Sequence, residues 1–182
     1  RPFLNPGQQN GRDVVDFGAF TTDTNAVYTA WLNWKSYLYS VRDCFVVVRD
    51  TDPSRRATLV GNQNNYLDFA RGASGALVGE HAHSEPIRGG SCAIDGTSVT
   101  HTARLPDGFH VVSFFPSNGV RASAFGRERF NGFGGQQLAE ALFFTRELSA
   151  NERQNIHAQL LSKWLGQPLH RAFDRILVEN GG

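Results

Sequence analysis

Acidic and histidine side chains are scattered through this chain, and few share a spacing that chemistry can use. Retaining glycoside hydrolysis needs two carboxyls about 5 to 5.5 Å apart, one a nucleophile and one an acid. The nearest acidic clusters are Asp13/Asp16, Asp50/Asp52 and Glu80/Glu85. Only Asp50 and Asp52 have the i, i+2 spacing that puts two side chains on one face of a strand. They lie in D-T-D-P-S, where Asp equally serves a turn by bonding its own backbone. No catalytic residue follows from these patterns. Ser74, Ser84, Ser91, Ser98 and Ser123 lack a G-x-S-x-G elbow, and Gly132-Phe133-Gly134-Gly135 leads into a strand where a phosphate loop would open a helix.

Two other constellations suit binding. In Gly79–Glu85 (GEHAHSE), His81 and His83 point to one side of an extended chain, with Glu85 continuing the row. That is half of a two-histidine metal site, and equally a polar edge that solvent or a sugar hydroxyl would contact. Glycan binding asks for an aromatic platform under the apolar face of a pyranose, with amide, carboxylate, guanidinium or imidazole groups around it. Trp31, Trp34, Tyr37 and Tyr39 supply the aromatic rings, although Trp31, Trp34 and Tyr37 at i, i+3 and i+6 also fit a short covering helix. Asn62, Asn64 and Tyr66, followed by Asp68 and Arg71, form the polar loop expected to touch such a ligand. The candidate ligand contacts are therefore Asn62, Asn64, Tyr66, Asp68, Arg71, His81 and His83.

These residues need a scaffold, and the sequence predicts one rich in strands. Strand signals fall at 13–17, 43–49, 57–60, 66–70, 76–81, 91–95, 98–103, 109–115, 120–125 and 137–145, divided by Gly, Pro, Asn and Asp turns. Such spacing predicts a two-sheet antiparallel sandwich. Asp95-Gly96 is the strongest hairpin signal, because a type I′ turn needs positive φ at both central positions. Phe45–Val48 and Val111–Phe115 are almost continuously apolar, as strands covered on both faces are. A helix is predicted over 149–165. Ser149 and Glu152 form its capping box, Gly166 and Pro168 stop it, and Ile156, Leu160, Leu161, Trp164 and Leu165 make the stripe that docks it.

Composition narrows the function classes. At 182 residues, 40% hydrophobic, with 14 Phe, the chain can fill an aromatic β-rich interior as one domain. A net charge of +1, with arginines dispersed along the sequence, argues against nucleic acid as a partner. No apolar run approaches the roughly 18 residues of a membrane span. Cys44 and Cys92 both fall in predicted strands, compatible with one disulfide in an exported protein or with two buried thiols.

The run AEALFFTRELSANERQNIHAQLLSKWLG, with GFHVVSFFPSNGVRASAFG and FGGQQ before it, resembles the C-terminal half of bacterial laminin-G-like domains in the concanavalin A-like lectin/glucanase superfamily. VVDFG, the strand at Phe45–Val48 and YLDFARG resemble its earlier strands, so the likeness covers roughly 13–166. It implies an all-β, two-sheet antiparallel jelly-roll sandwich with one C-terminal α-helix, as a domain over 1–166 with 167–182 as an extension or linker. It also implies a processed or excised part of a larger extracellular or cell-surface protein. The expected role is non-catalytic recognition of a glycan or a protein partner beside neighbouring modules, the alternative being an assembly domain packed against them. A polysaccharide hydrolase is a third reading, since the E-x-D-x-x-E-like run of the glucanase branch is missing here. No cofactor is required, although a calcium ion on Asp50 and Asp52 at the sandwich rim is compatible with the resemblance.

Overall fold

A computed structural model describes residues 2–21, 31–52, 58–61, 69–70, 75–79, 85–126 and 134–169. Its elements run β1 (Phe3–Gln9), β2 (Arg12–Asp16), β3 (Leu32–Val41), β4 (Asp43–Asp50), β5 (Thr58–Gly61), β6 (Phe69–Ala70) and α1 (Glu85–Arg88). There follow β7 (Ser91–Ile94), β8 (Thr97–Val99), β9 (His110–Phe115), β10 (Val120–Phe125), β11 (Gln136–Phe144) and α2 (Ala150–Leu165). All pairings between these strands are antiparallel, in a seven-stranded sheet ordered β1-β2-β11-β4-β9-β7-β8 and a four-stranded sheet ordered β3-β10-β5-β6. The expected fold class holds at this level: mostly β, two antiparallel sheets, one C-terminal helix.

The larger sheet is buried on both faces because its central strands carry apolar side chains at successive positions. Cys44, Val46 and Val48 of β4, with Val112 and Phe114 of β9, meet Val41, Leu59, Val60, Val120 and Ala122 of the smaller sheet. Phe45 and Val47, with Val111 of β9, face the other way onto Leu160, Leu161 and Trp164 of α2. β4 is buried from Asp43 to Val48, and each alternate side chain belongs to a different core. The apolar stripe of α2 thus finds the docking surface that its sequence demands.

Both ends of α2 are fixed. Ser149 Oγ accepts from the Glu152 amide while the Glu152 carboxylate accepts from the Ser149 amide at 2.8 Å, the reciprocal capping box. Arg153 clasps the fully buried Asp43 of β4 with Nε–Oδ2 2.8 Å and a second bond of 2.9 Å, and its guanidinium lies 4.2 Å from the Phe115 ring centre. Asp43 also accepts from the Leu148 amide, so the chain entering the helix is held by the same carboxylate. At the other end, Gln9 donates to the Trp164 carbonyl at 2.7 Å, and Asn10 and Arg12 donate to the Lys163 carbonyl. Gly166 closes the helix in the left-handed region at φ 65°.

Several expectations are corrected. β1 and β3 were not predicted as strands, and the covering helix considered for Trp31, Trp34 and Tyr37 is replaced by β3. Residues 75–79 make one bridge, Ala76 to Arg104, where a strand was expected over 76–81; the turn after Val99 ends β8 sooner than predicted. Cys44 and Cys92 lie on β4 and β7, each opposite Phe114 of the strand between them. Two strand spacings, roughly 9.5 Å, exceed the Cα separation of about 7 Å beyond which no disulfide forms. Both are buried free thiols. Burial, and then the neighbouring Asp43 charge, push the Cys44 thiol well above its ordinary value, so it packs as a small hydrophobe. Of the extension expected over 167–182, only 167–169 fall among the described residues.

Candidate functional site

Among the described residues the most exposed aromatic ring, Tyr39, lies on the smaller sheet, and an irregular strand carries it. Along β3 and β10, Val41 pairs with Val120, Leu38 with Ala122 and Asn33 with Ala124. Between the last two pairs β3 spends five steps against two on β10, so residues 34–37 swell out of the ladder. Trp34 and Leu38 pack onto the shared core, whereas Tyr39 is exposed and the half-buried Tyr37 lies against it. The two tyrosine rings lie 5.8 Å apart and 33° from coplanar, forming a shallow platform on which Tyr39 is 67% exposed. Arg121 of β10 places its guanidinium 5.7 Å from the Tyr39 ring centre. Asn33, Lys35, Ser36 and Ser40 are exposed along the same strand.

Below the swelling, Trp34, Ser36 and Leu38, with Phe125 of β10 and Ala141 and Phe143 of β11, line an open cleft of about 350 Å³ between the sheets. Trp34 packs edge-on to Phe125 at 4.9 Å and tilted to Phe143 at 5.0 Å. Among the described residues of this lining Ser36 alone is polar, a poor match to the several hydroxyls of a pyranose. The buried Trp34 indole N–H has no hydrogen-bond partner among the described residues. The tyrosine platform, with a guanidinium beside it, is the better match to a sugar.

The candidate ligand contacts Asn62, Asn64, Tyr66, Asp68, Arg71, His81 and His83 lie outside the described residues. Asp50 ends β4 opposite Gln136, and Asp52 follows the bend at Thr51, whose amide donates to the Gly135 carbonyl at 2.9 Å. Among the described residues no three His, Cys, Asp or Glu gather where they could hold a metal ion. Asp50 and Asp52 supply at most four of the six to eight oxygens that calcium takes. The remaining oxygens would have to come from loop carbonyls, and residues 53–57 of that loop lie outside the described residues.

Two polar constellations are engaged in holding α2 to the larger sheet. Asp43 and Glu147 share Arg153, which donates to them at 2.9 and 3.4 Å, but Asp43 is wholly buried, so no substrate oxygen reaches it. Ser113 Oγ lies 3.0 Å from His157 Nε2, the separation of a nucleophile and its base. Both are buried between α2 and the larger sheet, and among the described residues His157 Nδ1 has no hydrogen-bond partner that would orient the ring as a triad acid does. Burial pushes the His157 pKa down to about 4, opposed by the charge of Asp95. Sequence reasoning missed this pair, although each member is the polar interruption of an apolar run, Ser113 in VVSFF and His157 beside Ile156. Two polar residues directed into one dry interface must satisfy each other.

Asp95 has its own role. It takes φ 50° with Gly96 at 79°, the predicted hairpin turn, and its carboxylate accepts from the Val111 amide while meeting His110 Nδ1 at 2.7 Å. No helix among the described residues is long and apolar enough to cross a membrane. Comparison with family models, with curated proteins and with solved structures finds no match to this chain.

Proposed function

We propose that this chain is a non-catalytic recognition module of a larger extracellular or cell-surface protein, and that it binds glycan on the Tyr37/Tyr39 platform. The observation that carries the reading is that pair of rings 5.8 Å apart, Tyr39 exposed and Tyr37 half-buried, with Arg121 over Tyr39. Stacked aromatic faces take the C–H surface of a pyranose, and a guanidinium bonds the hydroxyls at its edge. The finer fold reading, a concanavalin A-like jelly roll, rests on the laminin-G-like resemblance and is supported by two antiparallel sheets whose neighbours come from distant parts of the sequence. The extracellular setting rests on the resemblance alone.

A second reading, an assembly domain packed against neighbouring modules, is favoured by the exposure of Phe3 and Leu4, 54% and 62%, on the edge strand β1. Polysaccharide titration followed by tyrosine and tryptophan fluorescence separates the two, run in calcium and again in chelator. Saturable binding that Tyr39→Ala abolishes without lowering the unfolding midpoint supports recognition. Binding untouched by Tyr39→Ala, or none to a broad polysaccharide panel, refutes the platform.

A further inference from the structure

The two sheets differ in the sign of their charge. Strands of the larger one carry Asp13, Asp16, Asp43, Asp50 and Glu140 against Arg12 and Arg49, an excess of acid. The strands of the smaller sheet, β3, β10, β5 and β6, hold Lys35 and Arg121 and not one Asp or Glu. Both cations are exposed, and both accompany the tyrosines: Arg121 over Tyr39, and Lys35 four residues before Tyr39, at most about 13 Å along the strand. In a chain whose net charge is only +1, this is a segregation of charge onto the aromatic face.

From this complementarity we infer that the platform takes an acidic polysaccharide, one whose sugar rings carry carboxylate or sulfate groups. The inference rests on the glycan reading and adds the ligand's chemical class. Stacking alone would accept neutral and acidic pyranoses alike. Arg121 changes that balance, because its planar fork matches a carboxylate or sulfate with two parallel hydrogen bonds, and the Tyr39 ring holds the fork at the platform's edge before ligand arrives. Lys35 adds a mobile point charge further along the polymer. With no Asp or Glu on them, these four strands themselves add no repulsion to an anionic polymer.

The test uses the full chain and three probes: polygalacturonate, the same polymer fully methyl-esterified, and poly-glutamate, titrated in chelator at 20 and 200 mM salt (conditions on the order of low and physiological ionic strength). The acid form should bind about fivefold or more tighter than the ester, an advantage lost in Arg121→Gln and diminished at the higher salt. Tyr39→Ala should weaken both sugars, and Lys35→Gln should reduce the salt dependence while preserving the stacking. Equal affinity for acid and ester overturns the acidic assignment and leaves the glycan reading standing. Poly-glutamate binding as tightly as polygalacturonate, and indifferent to Tyr39→Ala, overturns it in favour of an acidic peptide. If neither sugar polymer binds, the acidic assignment is overturned, and the glycan reading then falls only if the broad polysaccharide panel also fails to bind. Unchanged unfolding midpoints in all three variants establish that the losses are local.

Discussion

Acid should loosen the C-terminal helix through one residue, His157. Its ring is buried between α2 and the larger sheet, edge-on to Phe45 at 5.1 Å, with Ser113 its hydrogen-bond partner. Burial holds its pKa at about 4, below the ordinary 6.5, so between these values the unfolded chain binds a proton that the folded chain refuses. The stability from the neutral ring is fully present above pH 6.5 and is lost as pH falls toward 4. With a slope approaching about 1.4 kcal/mol per pH unit between the two pKa values, the loss from pH 7.5 to 4.5 is about 2.5 kcal/mol. The charges nearest the ring do not neutralise this cost: Asp95 is already engaged by His110 and the Val111 amide, and Arg153, one turn earlier on α2, is committed to Asp43. Urea unfolding at half-unit steps from pH 7.5 to 4.5, compared with His157→Gln, reads the effect directly. Glutamine keeps a bond to Ser113 Oγ but does not titrate, so the difference between the two profiles isolates this one group. Parallel profiles would refute the reasoning, since they would mean that the protonated ring finds solvent or a counter-charge without disturbing the interface.

Three further outcomes test the docking of α2. Trp164→Ala should cost about 3 to 5 kcal/mol in denaturant unfolding, because the ring fills the outer core and its indole N–H donates to Glu140. Arg153→Ala should cost a similar 3 to 5 kcal/mol by leaving Asp43 charged, buried and unpaired, and Asp43→Asn in the same background should recover part of it. Ser149→Ala should lose about 1 kcal/mol through the cap, with glycan affinity unchanged. The capping carboxylate responds to a different pH range from His157: the Arg146 hydrogen bond, then those of Ser149, hold Glu152 at about 2, so its contribution is present above about pH 4.5 and is lost as pH falls toward 2.

The elements legible in the sequence are those governed by local chemistry. Capping box, C-terminal glycine and apolar stripe specified α2 within a residue, and Asp95-Gly96 specified its hairpin. The continuous apolar runs of β4 and β9 announced strands covered twice, which is why the helix had somewhere to dock. β1 was hidden because FLNPGQQ contains Pro6 and Gly7, tolerable on an edge strand and contrary to strand propensity. β3 was hidden because W-x-x-W-x-x-Y has helical spacing, and the swelling that reconciles it with a strand is set by the register against β10, a tertiary fact. The pairing of the cysteines was likewise undecidable until Phe114 was seen to lie between them. The platform's aromatics were recognised as ring-bearing residues, but Arg121, more than eighty positions away, had no linear signal tying it to Tyr39.

The clasp between the first hairpin and the last helix also governs when the molecule can form. Gln9 bonds the Trp164 carbonyl across 155 positions, and β2 pairs with β11 across more than 120. During synthesis the N-terminal hairpin therefore has no lasting partner until nearly the whole domain has left the ribosome, and Phe45, Val47 and Val111 stay open to solvent until α2 arrives. Long loops must close before such contacts reward them, so folding is expected to be slow, on the order of milliseconds to seconds. Chains halted before residue 149 would present this unfinished outer core as an adhesive surface, making the last helix the step that separates a soluble product from an aggregating one.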